Sequence, residues 1–152
     1  MSHIDKLNLS VPDWLSSPGT GKATISKEDV IMAIPRCAYG QLFLSLYMQS
    51  KPHLKDVMGV KRDCRIFYRS KSETGRLPKT DAYTVERIFR EALQSVLIDK
   101  KLSYRKLADK LCETENNTYR KFYKIYNEFY GVIDEKYQSM LSLTKLNLFK
   151  SQ

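Results

Sequence analysis

The stretch TDAYTVERIFREALQSVL, residues 80–97, decides the fold class. Val85, Ile88, Phe89, Ala92, Leu93, Val96 and Leu97 recur at i, i+3, i+4 and i+7, which puts them on one face of a helix capped by Thr80 or Asp81. Working outward, Asp99-Lys100-Lys101 interrupts the pattern, and Ser103 caps a second, short helix that carries Leu107, Ala108 and Leu111. The polar run 113–117 then separates this helix from a third, expected to start around Thr118. There Tyr119, Phe122, Tyr123, Tyr126, Phe129 and Tyr130 gather on one side at about 100° per residue. The opposite side holds Arg120, Lys124 and Asn127, with Asn116, Asn117 and Lys121 at its edge. A last helix from about Ile133 aligns Ile133, Tyr137, Met140, Leu141 and Thr144.

Upstream the punctuation is denser. Pro12, Pro18, Gly19 and Gly21 leave no room for an ordinary element in residues 1–24, which read as an arm whose Leu7, Leu9, Val11, Trp14 and Leu15 dock on this molecule or on a second copy. Ser26 followed by Asp29 marks a helix start near Lys27, and Pro35 stops it or opens the next. Ala38, Leu42, Leu46 and the parallel row Tyr39, Phe43, Tyr47 predict a helix that ends before Pro52. After Gly59, Cys64-Arg65-Ile66-Phe67-Tyr68-Arg69 is short and rich in strand-favouring residues, so a small β element is expected at 64–69. It falls in a basic segment, 61–79, with Gly75 and Pro78 as turn markers, which reads as a basic loop or hairpin. The expected architecture is mainly α: an arm over 1–24, then a single helical domain over 25–152.

The chain has 152 residues, 26 Lys or Arg against 17 Asp or Glu, and a formal net charge of +9. The whole cationic excess falls within residues 51–124, and outside them the two signs balance. A merely solubilising surface would spread its charge, so the segregation points to a polyanionic partner, nucleic acid ahead of an anionic membrane surface. No apolar run reaches the roughly 18 residues a spanning helix needs, and no basic-then-apolar leader opens the chain. Cys37, Cys64 and Cys112 are far apart and odd in number, which suggests reduced thiols in the cytoplasm rather than a disulfide framework or a metal site.

The run Tyr104-Arg-Lys-Leu107-Ala108-Asp-Lys-Leu111-Cys112, a polar turn, and Thr118-Tyr119-Arg120-Lys121 resembles the helix-turn-helix superfamily of DNA-binding proteins. The likeness covers about residues 103–127, within a helix-turn-helix-like unit at about 103–130, with Cys112 where that superfamily often has Gly and a turn a residue or two longer than usual. It implies that Leu107, Ala108 and Leu111 pack on the following helix, which enters the major groove of duplex DNA. On that basis Asn117, Arg120, Lys121 and Lys124 are the candidates for groove contact, and Arg105, Lys106 and Lys110 for phosphate. Arg65, Arg69, Lys71 and Arg76 supply a second backbone contact or, with Phe67 and Tyr68, a stacking surface for RNA or a single strand. The competing explanation of each basic helix is that its charges are only its wet side; three basic stretches forming one footprint weigh against it. The subclasses are transcriptional regulator or accessory factor in replication, transfer or packaging of a small genome, with an adaptor or inhibitor docking an acidic protein as the rival.

Catalysis finds no support. Ser16 to Thr24 approaches a nucleotide-phosphate loop, but Ser16 replaces the first required Gly and Ala23 the magnesium-binding hydroxyl residue. His3 and His53 have no cysteine placed beside them, and Glu28-Asp29 and Asp134-Glu135 suit helix starts. The expectation is a binding protein without cofactor or metal. Leu143, Leu146 and Phe149 lie outside the main stripe of the last helix, which suggests a homodimer formed there.

Overall fold

The computed structural model describes residues 26–150. The arm expected over 1–24, with its docking residues, His3 and the phosphate-loop-like run, lies outside the described residues. The chain divides into two compact units, one made of the segments up to Val57 and from Lys136 onward, the other of Met58–Glu135. The mainly α expectation holds, and no strand occurs among the described residues.

The first unit contains α1 (Lys27–Ala33) and α2 (Ala38–Tyr47). Ser26 Oγ accepts from the Asp29 amide at 3.1 Å while the Asp29 carboxylate accepts from the Ser26 amide at 3.2 Å, a reciprocal cap that fixes the start read from the sequence. Pro35 forces the preceding Ile34 into an extended conformation, which ends α1. The next helix uses the Cys37 side chain as its cap: Sγ accepts from the Gly40 amide at 3.4 Å. Gly40 has no alternative, because a Cβ there would sit 2.0 Å from the Pro35 carbonyl oxygen. Leu42, Phe43 and Leu46 are buried as the four-residue spacing requires. The residues from Lys136 onward add Tyr137, edge-on to Phe43 at 6.3 Å, and Asn147, whose amide donates to the Ala33 carbonyl at 2.9 Å and so caps α1.

In the second unit lie most of α3 (Leu54–Glu73), α4 (Ala82–Leu97), α5 (Tyr104–Leu111), the single turn α6 (Glu115–Asn117), a π-helical turn (Thr118–Phe122), and the first part of α7 (Tyr123–Lys150). The β element expected at 64–69 is absent: these residues belong to α3. Val57, Val60, Cys64 and Tyr68 repeat at helical spacing across the strand-like Ile66-Phe67-Tyr68 run, and Val60 and Cys64 are buried while Ile66 is 62% exposed. A lone helical Gly, here Gly59, costs only about 1 kcal/mol and does not stop the helix. Consequently residues 61–73 of the basic segment are helix, and only 74–79 remain loop.

Two further boundaries differ from the sequence reading. The third helical run begins at Glu115 rather than Thr118, because Thr114 Oγ1 accepts from the Asn117 amide at 3.2 Å and turns the polar stretch into a first turn. The helix expected from Ile133 is not separate; α7 runs through Gly131, where open space surrounds the backbone and nothing forces a break.

Four helix ends share a motif. At α2, α3 and α4 the residue after the cap, and at α5 the cap residue itself, adopts a left-handed conformation, and two crossed backbone bonds close the end, as in Arg76 N to Lys71 O at 3.0 Å beside Gly75 N to Ser72 O at 3.1 Å. Only the α3 end uses glycine, Gly75; the others place Gln49, Asp99 and Cys112 at φ of 55°, 53° and 55°.

Candidate nucleic-acid interface

Leu107, Ala108 and Leu111 of α5 are buried, and so are Thr118 and Ile125 on the helical run that follows. Between them stands a turn of Cys112, Glu113 and Thr114: Cys112 reverses the chain in the left-handed region, the Glu113 amide donates to Ala108 O at 3.0 Å, and Thr114 caps the next helix. The turn is therefore shorter than the sequence suggests, since the helix after it starts earlier.

Three fasteners hold this pair. Arg87 of α4 donates through its two terminal guanidinium nitrogens to the Leu111 carbonyl at 3.0 Å and the Lys110 carbonyl at 2.9 Å, satisfying free acceptors at the end of α5. Tyr126, fully buried, accepts from the Leu102 amide at 2.8 Å and donates to Ser95 Oγ at 2.8 Å, which donates on to the Glu91 carbonyl at 2.7 Å. Tyr123 donates to the Leu102 carbonyl at 3.1 Å, so both polar groups of that one peptide residue are tied to the last helix. Burial raises the Tyr126 phenol above its ordinary value, with the Ser95 and Leu102 bonds opposing that shift. Around these bonds Tyr104 meets Tyr119 at 5.1 Å and Tyr123 at 6.2 Å, and Tyr123 stacks on Tyr126 at 5.7 Å.

A tyrosine on the apolar side of a helix ordinarily packs its ring and sends its hydroxyl to the surface. Tyr126 instead turns its hydroxyl inward as an adhesive for the α4–α5 connection. Arg87 was missed altogether; its only sequence signal is a position beside the apolar stripe of α4.

The candidate contact residues fall in two groups. Arg105, Lys106 and Lys110 are exposed on α5, and Asn117, Arg120, Lys121 and Lys124 are exposed on the run after the turn. Arg105 pairs with Glu115 at 3.8 Å and lies 5.7 Å from the Tyr104 ring centre. Arg120 and Lys124 line an open depression with Tyr119 and Tyr123. Asn127 departs from the expected basic face: it is half-buried, and its Oδ1 is enclosed without a hydrogen-bond partner among the described residues.

Arg65 and Arg69 are exposed on α3 and line a different depression, described below. Lys71 reaches over the Phe67 ring at 5.4 Å, and Arg76 is exposed in the loop that ends α3. Tyr68 donates to the Pro78 carbonyl at 3.2 Å, accepts from the Thr80 amide at 3.2 Å, and meets Phe129 edge-on. Its ring thus serves the fold, and Phe67 is partly covered by Lys71, which leaves little open aromatic face on this segment.

Among the described residues no group of three His, Cys, Asp or Glu side chains is placed to hold a metal ion, and no helix is long and apolar enough to cross a membrane. No family model matches the sequence, and neither a curated protein nor a solved structure resembles the chain at a significant level.

Proposed function

We propose that residues 58–135 bind duplex DNA as a helix-turn-helix-like module, in which α5 lies against the phosphates and the helical run from Glu115 reads the major groove. The observation that carries this reading is the three-residue turn between two helices that bury Leu107, Ala108, Leu111, Ile125, Tyr126 and Phe129 while all six of their candidate cations, Arg105, Lys106, Lys110, Arg120, Lys121 and Lys124, are exposed. A groove-reading helix needs that division, with one side fixed by packing and the other offered to phosphates and base edges. Arg87 and the tyrosine bonds at Leu102 supply the rigidity that makes contact geometry reproducible. Arg65, Arg69, Lys71 and Arg76 extend the basic surface as backbone contacts. The role is binding without catalysis, as a transcriptional regulator or as an accessory factor acting on a small genome.

Selection of bound sequences from a random duplex pool tests the proposal. The intact chain enriches a motif, and Arg120→Ala with Lys124→Ala loses it while lowering the slope of log affinity against log salt by about 2. Retention of the motif by the double variant, or no binding of duplex in dilute salt, overturns it.

One observation favours a single-stranded target instead. Tyr119 is 61% exposed beside Arg120, the pairing of aromatic face and cation on which unpaired bases stack. Competition between duplex and single-stranded probes at matched salt separates the two, with Tyr119→Ala weakening only single-strand binding if stacking is the mechanism.

A further inference from the structure

Within the second unit, α3, α4 and α7 line a half-open cavity of about 240 Å³. Its walls are apolar: Cys64, Tyr68, Val85, Phe89 and Phe129. Its rim is not. Lys61 is neutralised there by Glu86, which also faces Arg90 at 3.6 Å. Arg65 and Arg69, one turn apart on α3, line the same cavity and make no ion pair among the described residues. Thr80 lines it as well, and its hydroxyl oxygen is enclosed without a hydrogen-bond partner. Among the described residues the Tyr68 hydroxyl donates to the Pro78 carbonyl and accepts from the Thr80 amide, and makes no bond to Thr80 Oγ1.

Water against apolar walls of this kind is unfavourable, so the chamber favours an apolar occupant, and the two unpaired guanidinium groups at its rim favour an anionic end on that occupant. A void of about 150 Å³ already admits benzene, so the present one holds a ring with a substituent or a chain of about eight carbons. We propose that this cavity binds a small amphipathic carboxylate, its apolar body against Val85, Phe89 and Phe129 and its carboxylate received by Arg65 and Arg69. Guanidinium groups suit this role because their fork of N–H donors matches the two oxygens of a carboxylate. A phosphodiester would satisfy the same arginines but has no apolar body to fill the chamber. This inference shares Arg65 and Arg69 with the nucleic-acid reading but does not depend on it, and its test contains no nucleic acid, so the two fail separately.

Calorimetric titration of the full chain with octanoate, 1-octanol and butyrate is the experiment. Octanoate saturates at one per chain, octanol binds at least tenfold more weakly, and butyrate, which has the anion without the tail, shows no saturable binding. Arg65→Gln with Arg69→Gln, two exposed changes, brings octanoate to the level of octanol, and Val85→Phe abolishes binding of both, with folding of each variant verified by its unfolding transition. Equal binding of octanoate and octanol, an octanoate preference that survives loss of both arginines, or undiminished binding to a folded Val85→Phe protein overturns the proposal. So does the absence of saturable octanoate binding to the unaltered chain.

Discussion

Changing Tyr126 to Phe removes one oxygen and nothing else, at a site where the structure says what that oxygen does. It accepts the Leu102 amide and donates to Ser95 Oγ, each at 2.8 Å, inside a residue with no solvent exposure. Deleting it strands the Leu102 N–H, which costs about 1–3 kcal/mol for an enclosed donor, and removes a second bond worth about 1 kcal/mol. Ser95 is not stranded, since it still donates to Glu91. The sum is about 3 kcal/mol, against about 1 kcal/mol for Tyr123→Phe, which loses a single bond from a half-buried hydroxyl. Urea unfolding followed by far-ultraviolet circular dichroism reads the difference as a fall in midpoint of about 1–2 M, and amide exchange reads it locally as lost protection at Leu102. A Tyr126→Phe protein within about 0.5 kcal/mol of the parent, or one more stable than Tyr123→Phe, would show that the α4–α5 connection is not held as described.

Other consequences follow from the same physics. Cys112→Gly places the residue that tolerates left-handed backbone where cysteine is held at φ 55°, and stabilises the protein by about 0.5–1 kcal/mol in urea without loss of binding; a loss of stability would contradict the role given to that turn. Gly40→Ala drives a Cβ onto the Pro35 carbonyl oxygen and destabilises by about 3 kcal/mol or more in the same assay, because backbone rather than a movable side chain must give way. Burial raises the phenol pKa of Tyr126, Tyr130 and Tyr137. Their folded values lie above the unfolded value near 10, so the fold binds the protons more tightly; stability is whole below about pH 10 and declines as pH rises through the folded values. Tyr137→Phe therefore shows a shallower alkaline loss in unfolding experiments at stepped pH, and an unchanged slope would refute the assignment.

The sequence made α4 and α5 legible because their apolar stripes and caps agree, and the capping box at Ser26 is a local signal that the structure repeats atom for atom. Residues 64–69 misled because Ile66-Phe67-Tyr68 has strand propensity, and the helical spacing that overrides it starts upstream, across Gly59. Residues 113–117 misled in the opposite way: a helix start is polar by nature, so without Thr114 recognised as its cap it looks like a loop. For the candidate interface, a helical wheel found Arg120 and Lys124 on the exposed side but misplaced Asn127. The Arg87 clamp joins residues 23 and 24 apart in the chain, and no local pattern encodes such a contact.

The π-helical turn at Thr118–Phe122 bears on how that surface is aimed. It winds one residue more into a turn than its neighbours do, shown by the Tyr123 amide bonding to Thr118 O. Angular phase is thereby reset between the first side chains of the run and those of α7, so sequence spacing alone misjudges the bearing of Arg120 and Lys121 relative to Lys124. The setting is also a discrete one: the wide turn already absorbs its extra residue, so excising one there would let regular winding resume with the upstream cations and the downstream aromatic anchors near their present headings, whereas the same deletion in a regular stretch would turn one set against the other by about 100°. The loosened turn is thus the point of this run at which chain length can change without re-aiming the surface.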